Sequence, residues 1–220
     1  MFASDYIEEL VPVIKTSTTA AEALSLMEEF KITHLAIVNN KEFLGLLSEN
    51  DLLSLDNYDE AVGGIKIALS NVFVKAEDHI FDILKSIDDN KLSLLPVVSK
   101  NNVYEGSILA RSLVSEMATL LSVNNPGGII ILEVNLNDYV MSQIASIVES
   151  NDALIIASYV KTDAVSTKMD VVLKVNKTDI GGIIQTFNRF EYIVKASFGE
   201  EEKDDFLRDR YDSLMNYLNI

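Results

Sequence analysis

Apolar residues at Ala20, Ala23, Leu24 and Met27 recur at helical spacing, and the same spacing returns at Ile80, Ile83, Leu84 and Ile87. Each predicted helix is followed by two short apolar runs, "HLAIV" and "FLGLL" after the first, "LLPVV" and "EGSIL" after the second. The polar pieces "NNKE" and "SKNNVY" between the runs predict hairpin loops. A second helix is expected from Asn50 and again from Ala110. Val13–Val38 aligns with Phe73–Val98 without a gap, placing Leu24 on Leu84, Met27 on Ile87 and Ala36 on Pro96. One inserted residue then brings Gly45 onto Gly106 and Leu52 onto Leu113. A period of about sixty residues fits a duplicated small domain rather than a solenoid repeat. Neither copy carries apolar surface enough for a comfortable core of its own, so the two are expected to pack together.

After "VNNPGG" (Val123–Gly128) the rhythm changes. "IIILEVNL" reads as a strand, and "DYVMSQIASIVES" as an amphipathic helix with Val140, Ile144, Ile147 and Val148 on one face. "DALIIASYVK" and "KMDVVLKVN" read as strands around the turn "TDAVST"; "DIGGIIQTFNRF" is helical and "YIVKASF" a last strand. Strand–helix–strand–strand–helix–strand is the split βαβ, ferredoxin-like order, so the fold class is α+β. The tail opens with an acidic run, Glu200–Asp205, read as a solvated face. Phe206, Leu207, Tyr211, Leu214, Met215 and Leu218 then share a helical face, expected to dock on the preceding domain, with pairing between subunits as the other reading. The expected divisions are a repeat pair over 1–122 (copies about 1–60 and 61–122), a linker at 123–127, a second domain over 128–198 and a helical tail over 199–220.

Charge narrows the partners. With 34 acidic and 18 basic side chains the net charge is −16, which argues against nucleic acid and anionic membranes but leaves room for a small phosphate ligand. There is no cysteine, hence no disulfide, thiol nucleophile or thiolate metal site. "MFASDYIEEL" shows no signal-peptide pattern and no apolar run approaches a membrane span, so a cytoplasmic protein is expected. No catalytic constellation emerges. His34 and His79 each lack a second histidine at ligand spacing, the glycine pairs read as turns, and no G-x-S-x-G elbow occurs. Asp179 and Asp138 read as helix caps.

The junction "GLLSENDLL" (Gly45–Leu53) carries the candidate chemistry. Ser48 and Asp51, three residues apart, fit a capping box. The equivalent stretch of copy two, "GSILARSLV" (Gly106–Val114), has Leu109 and Ser112 there, and its helix is still expected. The fold therefore does not demand the polar pair. A strand feeding a helix start can present N–H groups to an anion, a serine hydroxyl can donate to phosphate, and a carboxylate can accept from sugar hydroxyls.

The helix, the "LPVV" strand and the "G-apolar-apolar-Ser-x-x-Asp-Leu" junction resemble a CBS domain, and their repetition resembles a CBS pair, or Bateman module, over roughly Met1 to Ser122. The domain that follows resembles an ACT domain, and the order is similar to that of acetoin-utilisation-type CBS/ACT regulatory proteins. The resemblance implies a non-catalytic sensor of an adenosine-type ligand such as AMP, ATP or S-adenosylmethionine. It places Ser48 on the phosphate, Asp51 on the ribose, and the purine near Thr16, His34 and Ala36. In copy two the site should be weak or absent. A homodimer acting on an unidentified regulated protein is implied as well. ACT domains that bind amino acids usually place a glycine near the first helix start; Tyr139 and Val140 stand there instead, which favours a pairing or relaying role. Two other readings stay open: a structural dimerisation module with a vestigial site, and an enzyme of unrecognised type.

Overall fold

The structure is a computed structural model that describes residues 1–65, 69–163, 166–199, 213–215 and 217. It divides into two compact units, Met1–Ser115 and Glu116–Ile220. Most of the tail face proposed from the sequence, including Phe206, Leu207, Tyr211 and Leu218, lies outside the described residues, as does the acidic run Glu200–Asp205.

The chain up to Leu120 is built twice over. Copy one runs β1 (Val13–Ile14), α1 (Ala20–Phe30), β2 (His34–Asn39), β3 (Glu42–Ser48) and α2 (Glu49–Leu53). Copy two runs α3 (Ile80–Asn90), β4 (Leu94–Val98), β5 (Tyr104–Leu109) and α4 (Ser112–Leu120). Thr19 starts α1 with a reciprocal box to Glu22, and His79 with Asp82 does the same for α3. Both helices end on a lysine in left-handed conformation, Lys31 (φ 54°) and Lys91 (φ 51°). Ala20, Ala23 and Met27 of α1 and Ile80 and Ile83 of α3 are buried against the strands, whose Leu35, Ile37, Leu46, Leu94, Val97 and Ile108 are almost wholly covered. A fully buried aliphatic side chain of this size contributes about 2 kcal/mol.

Strand register confirms the repeat residue by residue. The β2–β3 hairpin pairs Ile37 with Gly45 and shifts register at Val38; the β4–β5 hairpin pairs Val97 with Gly106 and shifts at Val98. The one-residue insertion falls in the second hairpin loop, since Val38 meets Phe43 whereas Val98 meets Tyr104. Gly45 (φ +151°) and Gly106 (φ +152°) answer one requirement. A Cβ on Gly45 would stand 2.6 Å from the Leu69 Cβ, and one on Gly106 would stand 2.3 Å from the Ile7 Cγ2.

Those two neighbours reveal an element that periodicity does not show. The N-terminal segment lies along copy two, with Ala3 N–H on Asp78 O (2.9 Å), Ile80 N–H on Met1 O (3.2 Å) and Glu8 N–H on Ser107 O (3.0 Å). The segment between the copies treats copy one alike, with Ala20 N–H on Glu60 O (3.0 Å) and Leu46 N–H on Ser70 O (2.8 Å). The copies also join each other directly. Phe43 N–H bonds Asn102 O at 3.1 Å, Tyr104 N–H bonds Lys41 O at 2.8 Å, and the Phe43 and Phe73 rings meet edge-on at 5.9 Å.

The second unit is a four-stranded antiparallel sheet in the order β7-β8-β6-β9, from β6 (Ile129–Asn135), β7 (Ile155–Thr162), β8 (Lys168–Val175) and β9 (Ile193–Phe198). Helices α5 (Met141–Glu149) and α6 (Gly181–Arg189) connect these strands in ferredoxin-like order, giving the ACT-like domain. Ile144, Ile147, Val148, Ile183 and Phe187 of the helices close over Ile130, Leu132, Val171 and Leu173. Helix α5 begins later than its sequence suggests. Asn135 and Asp138 bond to each other at 2.9 Å in a short turn, and Val140 stays extended and partly exposed. Asp138 therefore caps no helix, and Val140 leaves the face that Ile144, Ile147 and Val148 form. Asp179 does act at the start of α6, accepting from Gly181 N–H at 3.2 Å.

Candidate functional site

β3 ends at Ser48, which stands opposite His34 at the start of β2, and the chain turns there directly into α2. Ser48 Oγ accepts from Asp51 N–H at 3.2 Å, while Ser48 N–H donates to Asp51 Oδ2 at 3.2 Å and Ser48 Oγ–H to the same oxygen at 2.6 Å. The capping box is closed. The N–H groups expected to await an anion are largely engaged as well: Glu49 N–H bonds Thr33 O at 2.8 Å, and Asp51 N–H is on Ser48. With five residues, α2 adds only a small dipole. The chemistry on offer is a half-buried hydroxyl–carboxylate pair whose Oδ2 is occupied from within.

The other candidates separate along the hairpin. His34 shares the end with Ser48 and Asp51, and the Asp51 charge acts on its ring. Ala36 is fully buried between Val13 and Leu46, so its side chain presents no surface to a ligand. Thr16 sits at the far end of β2, where its N–H bonds Asn39 Oδ1 at 3.3 Å and its hydroxyl accepts from Asn39 Nδ2 at 2.8 Å. At about 3.3 Å per residue, the length of β2 sets Thr16 roughly 16 Å from His34. Asn39 carries no repeat signal, because copy two has Ser99 after its Val98.

His34 itself turns toward copy two. Its Nδ1 accepts from Ser93 N–H at 3.3 Å, with Ser93 Oγ at 3.2 Å and Thr33 Oγ1 at 3.1 Å from the same nitrogen. Ser93 Oγ in turn accepts from Thr33 N–H at 2.9 Å. Burial holds the His34 pKa below its ordinary 6.5, and the nearby Asp51 carboxylate pulls the other way. Ser93 escapes a reading of single motifs; the repeat could have marked it, since it aligns with Thr33 and keeps a hydroxyl there.

At the copy-two junction Leu109 pairs with Leu94 where Ser48 pairs with His34, so two leucines stand where copy one has two polar residues. Ser112, at the Asp51 position, donates its hydroxyl to the Glu8 carboxylate of the N-terminal segment. Arg111 reaches back across the seam to Phe30 O at 2.8 Å. Among the described residues no cluster of three metal-ligating side chains occurs, and no helix is long and apolar enough to cross a membrane.

A family model of the CBS domain matches residues 3–57 and again 65–119, together half of the chain. Among solved structures, the chain is similar to a CBS domain pair/ACT domain protein from Thermotoga maritima, at 24% identity and TM-score 0.50, over 55% of this chain and 99% of that one. It is also similar to a Vibrio cholerae protein described as an acetoin utilization protein (24%, TM-score 0.49, 56% and 95%). CBSX2, a protein of Arabidopsis thaliana, is similar in its complex with AMP (24%, TM-score 0.48, 54% and 96%). No curated protein matches the chain.

Proposed function

This chain belongs to the CBS-domain family, as a tandem pair followed by an ACT-like domain, and from that premise we propose that it is a non-catalytic regulatory protein sensing an adenosine-type ligand at the copy-one junction. One observation carries the reading. Copy one keeps Ser48 and Asp51, with His34 beside them, where copy two passes from strand to helix with Leu109, Ser112 and Leu94. Both bonds that Ser48 donates end on Oδ2 of Asp51, so we assign Oδ1 to a ribose hydroxyl of the ligand. A phosphate would have to draw the Ser48 hydroxyl out of its bond to Asp51. AMP and ATP should then gain less over adenosine than an open anion site would give.

The closed box favours a second reading, in which the junction is a helix cap and the module serves dimerisation alone. Thermal-shift and calorimetric titration with adenosine, AMP, ATP and S-adenosylmethionine, on wild type and Asp51→Ala, separates the two. Ligand binding to the folded state raises the melting temperature with ligand concentration. A shift in wild type that Asp51→Ala abolishes supports the sensor. No shift with any of the four, or an equal shift in both proteins, leaves the cap. The regulated partner is another protein, met by a homodimer whose ACT-like domains pair or relay the state; sedimentation of the full chain tests the dimer.

A further inference from the structure

We propose that His34 is a proton-controlled clasp between the two copies: neutral, it holds the backbone of Ser93; protonated, it releases copy two and turns to Asp51. The ring nitrogen that faces Ser93 accepts from a backbone N–H, which can only donate, so Nδ1 carries a lone pair and the proton is on Nε2. The Ser93 and Thr33 hydroxyls converge on the same nitrogen. Three polar contacts thus converge on Nδ1, and the Thr33 N–H bond to Ser93 Oγ closes the group. A proton on Nδ1 would face the Ser93 N–H donor and leave that N–H without its acceptor.

The charged groups around the ring give the clasp its direction. Asp51 on α2 is the charge that acts on the ring. The Arg111 guanidinium near the start of α4 is held on Phe30 O at 2.8 Å, and Lys91, before β4, pairs with Asp88 at 2.7 Å. The Glu49 N–H is committed to Thr33 O. The carboxylate that acts on the ring is the one already bonded to Ser48.

Burial depresses the His34 pKa, which fixes the sign. The unfolded chain protonates this histidine first, so the clasp's contribution is present above pH 6.5 and is lost as pH falls from 6.5 through the folded value. The clasp stands with or without a nucleotide. Its consequence for ligand affinity rests on the function proposed above: an imidazolium on Asp51 competes with a ribose hydroxyl, so affinity should fall with pH.

The chain has two histidines, so NMR titration of the full-length protein resolves them. His34 should titrate below 6.5, lower still in Asp51→Asn, and higher in Ser93→Ala. Across that titration the Ser93 and Thr33 amides should lose about tenfold in hydrogen-exchange protection beyond the intrinsic pH effect, the size of one buried hydrogen bond unmade. His34→Asn keeps an acceptor near Nδ1 without a titrating group, and should abolish the loss. Titration at or above 6.5, or the same loss of protection in His34→Asn, overturns the clasp. These readouts need no ligand. AMP titrated at two pH values on wild type tests the link separately: weaker binding at the lower pH supports it, and pH-independent binding with the clasp intact overturns the link alone.

Discussion

Copy one and copy two both pass from a strand end into a helix, copy one directly from Ser48 into α2 and copy two through the turn residues Ala110 and Arg111, and they stabilise that passage by opposite means. Copy one uses its own residues, with Ser48 and Asp51 bonding each other and His34 opposite. Copy two fills the strand positions with Leu94 and Leu109, leaves Ser112 at the Asp51 position, and draws a carboxylate from the distant N-terminal segment through Glu8. The turn needs packing and a satisfied first helical residue; it does not need this particular pair. A polar pair retained where leucines would serve is the feature that calls for a ligand or a switch, and the copy without it shows what the fold alone requires.

Making copy two resemble copy one is the most disruptive test. Leu109, the last residue of β5, is 3% exposed. Leu109→Ser should cost about 3 kcal/mol in chemical denaturation, from lost burial and an unpartnered hydroxyl. Adding Ser112→Asp would restore part of that loss if the new pair closes the box seen in copy one, and none if copy two's geometry forbids it. The repeat glycines come next. Gly106→Ala must push Ile7, and with it the N-terminal segment, off β5, and Gly45→Ala must push Leu69 off β3. Each should cost about 2 kcal/mol, measured the same way. A much smaller loss in Gly106→Ala would mean that the N-terminal segment contributes little.

Removing the polar contacts themselves is a gentler test. Asp51→Ala takes away the copy-one box and should cost about 1 kcal/mol whether or not a ligand binds. Glu8→Ala leaves Ser112 without its carboxylate and should cost about the same, with exchange protection lost at the Glu8 amide that bonds Ser107 O. If Glu8→Ala changes neither stability nor protection, the two junctions are not balanced in the way the contacts indicate.

What could be read in advance follows from the length and regularity of each signal. The helices, the hairpins and the one-residue offset between copies are legible, because α1 and α3 each show three turns of matching apolar spacing and each hairpin carries a glycine within its second strand. The α+β order of the second domain was legible for the same reason. The N-terminal segment was not: residues 1–10 bond mainly through backbone N–H and C=O groups to copy two, and such pairing leaves no mark on side-chain pattern. At the site, spacing marks Ser48 and Asp51. The mutual bond that closes them, the turn of His34 toward Ser93, and the distance of Thr16 are tertiary facts, set by which strand lies beside which. The late start of α5 is not legible because Asp138 is a good cap by type, while the Asn135 side chain binds it first.

The smallest test uses a position where the copies agree. Lys31 and Lys91 both end their helices in left-handed conformation, which a side chain makes unfavourable and a glycine does not. Lys31→Gly and Lys91→Gly should each stabilise the protein by roughly 0.5–1 kcal/mol, seen as a higher melting temperature. The two differ in one contact: Lys91 pairs with Asp88 at 2.7 Å, with both side chains about four-fifths exposed. An ion pair so open to solvent is worth little, so the two gains should match closely. A clearly smaller gain at Lys91 would assign the difference to that pair. It would also place one more departure from symmetry in copy two, at the far end of α3 from the segment that Glu8 anchors.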